Sequence, residues 1–177
     1  SEAARRALLI GINDYKNLPY YSKEQGKRIT NLKGPLNDIR IMKQILISRY
    51  GFLEEDIWLL KDHEATRDNI LKKFKDWLVQ GSREGDTVLF FFSGHGTQVN
   101  DQNGDEEDGL DEAFCPYDTV PEGARTVMEA RLILDDELGL LLRELGGREV
   151  GGMVDSCHSG TMTRSIRGGP VSELEPT

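Results

Sequence analysis

The sequence predicts an α/β fold in which a mainly parallel sheet is covered by helices on both faces. Three observations lead there. The run Val88-Leu-Phe-Phe-Phe92 is too short for most helices and too uniformly apolar for a strand with one wet face, so it reads as a central strand buried on both sides. Strand-like runs alternate with segments whose apolar residues recur at helical spacing, an alternation that implies right-handed crossovers between parallel strands. At 177 residues the chain is long enough for one domain that buries roughly two thirds of its unfolded surface.

Arg5 to Ile12 reads as the first strand. Pro35 to Tyr50 places Leu36, Ile39, Met42, Ile45 and Leu46 on one stripe, the pattern of a helix, and Gly51 ends it. Asp56 to Leu60 is the second strand. Thr66 caps a helix that carries Ile70, Leu71, Phe74, Trp77 and Leu78 and closes at Gly81. The Phe-rich run is the third strand, and Ser93-Gly-His-Gly96 is expected to break it in a tight turn. After an acidic loop and a strand-like segment, Asp135-Asp-Glu-Leu138 opens a helix with Leu141, Leu142 and Leu145 inward. Gly146 and Gly147 stop it, and Arg148 to Val154 forms the fourth strand. Tyr15 to Lys33 and Tyr117 to Arg131 read as long loops, and no repeat or low-complexity segment is visible.

The net charge of −9 is unevenly placed. Between Asp101 and Glu112 stand seven carboxylates and no base, so this run alone carries −7. Such a loop argues against nucleic acid as a partner and favours a cation, either a metal or a basic peptide. Set on the EF-hand template, Asp101, Asn103, Asp105 and Glu112 fall on ligand positions. Glu106 stands where that loop requires glycine, however, and no helical pattern flanks the run on both sides, which argues against the module. Two cysteines, Cys115 and Cys157, are too few for a disulfide framework, so a reducing compartment, the cytoplasm, is expected. No stretch approaches the eighteen or so apolar residues of a membrane span, and the first residues have no secretory core; no membrane partner is expected.

His95 and Cys157 each follow an apolar run, and two buried strands that end side by side bring such residues to one edge of a sheet. A thiol beside an imidazole reaches the thiolate state near neutral pH, and the imidazole can later protonate a leaving amine. The small residues around both, Gly94, Gly96, Gly151, Gly152, Ser156, Ser159 and Gly160, let a substrate approach closely. The pairing points to a cysteine hydrolase, although either residue alone also admits a bland reading as a packed core cysteine or a solvated turn histidine. His158 reads as a neighbour of the nucleophile and His63 as a surface residue. Competing chemistries fit less well. The first strand leads into Gly11-Ile-Asn-Asp-Tyr15, which lacks the glycines of a dinucleotide loop, and Ser156 lacks the flanking glycines of a serine-hydrolase elbow. Zinc held by Cys115, His95, Cys157 and His158 is disfavoured because adjacent Cys157 and His158 cannot easily both point at one ion.

At these residues the chain resembles a known family. Val88-Leu-Phe-Phe-Phe-Ser-Gly-His-Gly-Thr-Gln98 and Asp155-Ser-Cys-His-Ser-Gly-Thr161 look like the histidine and cysteine boxes of metacaspases and bacterial caspase-like peptidases. Ala7-Leu-Leu-Ile-Gly-Ile-Asn13, Leu36-Asn-Asp-Ile39 and Asp108-Gly-Leu-Asp-Glu-Ala-Phe-Cys-Pro-Tyr-Asp118 agree with the family's first strand, first helix and acidic loop. The resemblance implies a caspase-like catalytic domain over residues 1–161, the large segment. Residues 162–177 would then be a flexible connector to a missing C-terminal small segment that completes the sheet and the substrate groove.

The resemblance further implies a cysteine endopeptidase working through a Cys157–His95 dyad, with the N–H groups of Gly96 and Cys157 as oxyanion hole and no cofactor required. Positions Asp38, Ser93 and Asp155 match an acidic pocket, which implies a peptide or protein substrate with Arg or Lys before the cut. Pro35 departs from the family there, where many relatives carry a cysteine. Asp111, Asp135 and Asp136 match positions that bind calcium in calcium-activated relatives, whereas Arg164 stands where those relatives place a further aspartate. Arg164 and Arg167, among Gly168, Gly169 and Pro170, mark a place for self-processing. The alternative is a catalytically silent module that keeps the fold to bind peptides or scaffold a complex; intact His95 and Cys157 argue against it.

Overall fold

The computed structural model describes residues 3–100 and 109–157; Asp101 to Asp108, His158 and the expected connector with Arg164 and Arg167 lie outside the described residues. In chain order the strands are β1 (Arg5–Gly11), β2 (Tyr20–Ser22), β3 (Lys27–Ile29), β4 (Ile57–Lys61), β5 (Thr87–Asn100), β6 (Leu110–Phe114), β7 (Ile133–Leu134) and β8 (Glu149–Cys157). The helices are α1 (Pro35–Tyr50), α2 (Arg67–Lys73), α3 (Val127–Ala130) and α4 (Asp135–Arg143). β4, β1, β5 and β8 lie side by side in that order, and they run parallel, as the strand–helix alternation predicts. β6 runs antiparallel to the far half of β5, β7 pairs with β6, and β2 and β3 form a separate hairpin. This is the mainly parallel, caspase-like α/β sheet that the sequence implies.

The apolar runs cover both faces because strand side chains alternate. Ala7, Leu9 and Phe91 pack with Ile39 and Leu46 under α1, while Leu8, Ile10, Val88, Phe90 and Phe92 pack with Phe74, Leu78, Phe114, Leu138 and Leu145 on the other side. The three consecutive phenylalanines are thus divided between two cores. Pro35 opens α1, where its missing N–H costs no hydrogen bond, and Gly51 closes it in the left-handed region at φ 70°. The N–H of Leu36 is taken by Asn13 Oδ1 at 3.0 Å, which ties the helix start to the end of β1. Gly11 permits that approach: a Cβ there would lie 2.9 Å from the Pro35 carbonyl oxygen.

Thr66 caps α2 as expected, accepting from the N–H of Asn69. The helix then widens into a π-helical turn over Phe74–Val79, and Trp77 donates through Nε1 to the Ala7 carbonyl at 2.9 Å. Buried Arg67 pairs with Glu137 and donates to the Leu132 carbonyl, joining the start of α2 to the start of α4. Of the two long loops, the first holds the β2–β3 hairpin and the second holds α3.

Two expectations need correction. The Phe-rich strand does not break at Ser93-Gly-His-Gly96 but runs on to Asn100, and neither Gly94 nor Gly96 has a positive φ. The backbone stays extended because β6 and β8 supply hydrogen-bond partners along that stretch. For the same reason the last strand continues past Val154 to Cys157, and Gly151 and Gly152 lie within it.

Phe92 is fully buried, its ring 4.5 Å from that of Phe114. Phe92→Ala should lower the unfolding free energy by about 3–5 kcal/mol in a denaturant titration. A loss under about 1 kcal/mol would show that this core collapses around the cavity.

Candidate active site

His95 sits inside β5 and is 6% exposed, so it is a buried imidazole within the strand and not a residue of the tight turn expected at Ser93-Gly-His-Gly96. Its Nε2 lies 2.7 Å from the carbonyl oxygen of Thr30, just after β3. A carbonyl only accepts, so Nε2 must carry the proton in the neutral ring. Nδ1 is then the basic nitrogen, and it is buried with no hydrogen-bond partner among the described residues. Burial holds the imidazole below its usual range, and the bond to Thr30 offsets this only in part.

The β5–β8 register pairs His95 with Cys157 and Ser93 with Asp155. Neighbouring strands lie about 4.8 Å apart, and register partners in a parallel pair share a face of the sheet, so positions 155 and 157 fall on the face of Ser93 and His95. Ser93 is buried and donates through Oγ to Asp38 Oδ2 at 2.7 Å, with Asp38 in the first turn of α1. The three positions that the resemblance assigns to a pocket thus lie at one level of the sheet: Asp38 on α1 is bonded to Ser93 on β5, and Ser93 is the register partner of position 155 on β8.

His95 gives its own N–H to the hydroxyl of Tyr15 at 2.8 Å and its carbonyl to the N–H of Cys115 at 2.9 Å. By the alternation of a strand, Gly94 and Gly96 present their backbone groups to the opposite edge, beside β8. Gly94 is needed for close approach, since a Cβ there would lie 2.6 Å from the Tyr15 hydroxyl and 2.9 Å from the Phe92 ring. Cys115 is fully buried and burial pushes its thiol far above the usual range, which makes it a core residue. His63 is exposed, as read.

Asp111 lies in β6, and Asp135 and Asp136 open α4. Among the described residues no three carboxylate, imidazole or thiol side chains are grouped to hold a metal ion. Two contributors to the site escaped the sequence reading, the Thr30 carbonyl and Tyr15. A backbone carbonyl leaves no mark in a residue pattern; for Tyr15 the available signal was a lone aromatic four positions after the end of β1.

The sheet order and the register of His95 with Cys157 define a caspase-like domain. The sequence profile described as metacaspase, peptidase C14 domain, matches residues 5–165. The chain belongs to the metacaspase family. It is 39% identical over 165 residues to metacaspase-3 of Arabidopsis thaliana, covering 89% of this chain and 40% of that protein. It is 36% identical over 167 residues to metacaspase-1 of Schizosaccharomyces pombe, covering 90% and 35%. The crystal structure of protein GSU0716 from Geobacter sulfurreducens superposes with a TM-score of 0.65 at 31% identity, covering 89% of this chain and 52% of that one. The chain thus spans well under half the length of these two curated relatives.

The depressed His95 pKa sets a pH dependence. The unfolded imidazole, with its ordinary value of about 6.5, binds a proton at higher pH than the folded one, so stability from this residue is complete above about pH 6.5. It is lost as pH falls through the folded-state value. Urea midpoints measured from pH 7 down to about 5 should fall more steeply for the wild type than for His95→Asn, which cannot charge. Parallel slopes would show that His95 is not held neutral by burial.

Proposed function

We propose that this chain carries the catalytic segment of a cysteine endopeptidase that cleaves after Arg or Lys. The observation that carries the reading is a buried imidazole whose Nδ1 lone pair has no partner among the described residues, one strand away from Cys157 and in register with it. Cys157 passes its proton to Nδ1, and the thiolate attacks the scissile carbonyl carbon. The oxyanion is received by the N–H groups of Gly96 and Cys157. As the tetrahedral adduct collapses, the C–N bond breaks and Nδ1 returns the proton to the departing amine. Water, activated by the same nitrogen, then releases the acyl group. The Thr30 carbonyl holds the ring through Nε2 during both transfers, and the reaction needs no cofactor.

In this reading Asp38 and Asp155 face the guanidinium or ammonium of the residue before the cut, and Ser93 fixes the Asp38 carboxylate. Support comes from the 2.7 Å Ser93–Asp38 hydrogen bond and from the pairing of Ser93 with Asp155 in the sheet register. Two carboxylates there attract a cation and repel an acidic side chain. Arg164 and Arg167 are of the residue type this pocket would accept, which makes them the proposed self-processing points. The small C-terminal segment of the precursor is the proposed intramolecular partner, in the reducing cytoplasm.

Cys157→Ala should abolish cleavage of an Arg-terminated reporter peptide while leaving the circular dichroism spectrum unchanged, and His95→Ala should cost at least ~10²-fold. Cleavage by Cys157→Ala at the wild-type rate would overturn the nucleophile assignment. A folded wild type that binds peptides and cuts none would favour the scaffold reading.

Asp38→Asn and Asp155→Asn should each weaken kcat/KM on Arg and Lys peptides by ~2–4 kcal/mol relative to neutral controls, because a desolvated cation loses its counter-charge. Preference for Asp before the cut, measured on peptides that differ only at that residue, would sink the pocket.

A further inference from the structure

Behind the imidazole lies a residue that the dyad chemistry leaves unused. Tyr15 is 4% exposed, and its hydroxyl accepts from the N–H of His95 at 2.8 Å while donating to the Cys115 carbonyl at 2.9 Å. Its ring stands 5.2 Å from the imidazole at 58°. Its own N–H donates to Asn31 Oδ1 at 2.9 Å, and Asn31 follows Thr30, whose carbonyl orients Nε2. The backbone and ring of His95 therefore meet the phenol of Tyr15, and the segment that supplies the Thr30 carbonyl is tied to the main chain of the same residue.

We propose that Tyr15 is a positioning residue for His95: it holds the backbone and ring so that Nδ1 stays aligned with position 157 on β8. The inference rests on the peptidase reading above. Burial raises the phenol well above its usual pKa, so the hydroxyl keeps its proton and can accept from His95 and donate to Cys115 together. The absence of a side chain at residue 94 fits the same role, because a Cβ there would displace the hydroxyl.

Tyr15→Phe keeps the ring and removes the bridging oxygen, leaving two buried backbone groups unpaired. In the full-length protein, with active sites counted by an irreversible thiol-reactive Arg peptide, kcat per titrated site should fall about tenfold to a hundredfold with KM within about twofold, since small misplacements of a catalytic group are costly. A merely structural tyrosine would reduce the number of titratable sites and the melting temperature but not kcat per site. The second readout needs no turnover. In protein carrying ¹⁵N-histidine, the wild-type His95 resonances should report the Nε2–H tautomer alone, and Tyr15→Phe should show both tautomers. Unchanged kcat per site together with an unchanged tautomer signature would overturn the proposal. If the wild type cuts no peptide but the tautomer signature shifts, the peptidase reading fails and the positioning of His95 stands. Should Tyr15→Phe fail to fold, Gly94→Ala, which pushes the hydroxyl away while keeping the tyrosine, must reproduce both changes or the proposal falls.

Discussion

A strand buried on both faces can satisfy its backbone only through its two edges, and β5 has to do so over fourteen residues. Its first half is flanked by β1 and β8, and its second half leans on β6. Each unpaired, desolvated N–H or carbonyl would cost about 1–3 kcal/mol, so the neighbours cannot shift independently once β5 is placed. That constraint sets the site. Ser93 and His95 are two residues apart on β5 and share a face; β8 copies the spacing at positions 155 and 157.

The polar groups around this frame are arranged as supports. The β2–β3 hairpin reaches the imidazole through the Thr30 carbonyl, and it is fastened from behind, because Tyr20 and Ser22 both donate to Glu122 at 2.6 Å. Those bonds hold the Glu122 carboxyl below its usual range, the Ser22 bond foremost. Nearby, Lys16 donates its N–H to the Tyr117 carbonyl and Tyr117 donates to that of Ala65. The loop that carries Tyr15 is thereby tied to the start of α2, where Arg67 takes over the connection to α4.

Much of the scaffold was legible in the sequence, because local signals and tertiary needs agree there. The α1 stripe, the Pro35 and Gly51 punctuation and the Thr66 cap all operate within a few residues, and all three appear where the pattern puts them. That the strands run parallel followed from alternation, whereas their order across the sheet did not. What failed was non-local. Gly94 and Gly96 look like turn residues until Ser156 of β8 is known to lie opposite the first and Phe114 of β6 opposite the second. The π-helical turn at Phe74–Val79 has the same apolar spacing as an ordinary helix, so the pattern could not reveal it. At the site, the two apolar runs were enough to bring positions 95 and 157 together, as the register shows, whereas the imidazole's tautomer depends on a main-chain oxygen that any residue at position 30 would offer.

The row formed by Cys115, His95 and Cys157 has a further consequence, in redox terms. Cys115 bonds to one edge of β5 at His95, and Cys157 is the register partner of His95 on the other. Two strand spacings separate their Cα atoms by about 9–10 Å. A disulfide tolerates no more than about 7 Å without backbone movement. The buried thiol therefore cannot serve as an internal resolving partner for its counterpart, although only one residue stands between them across the sheet. A sulfenic acid at position 157 therefore finds no resolving thiol at Cys115: it is either capped by a small thiol from solvent, which reductants can reverse, or oxidised further to the irreversible sulfinic and sulfonic acids.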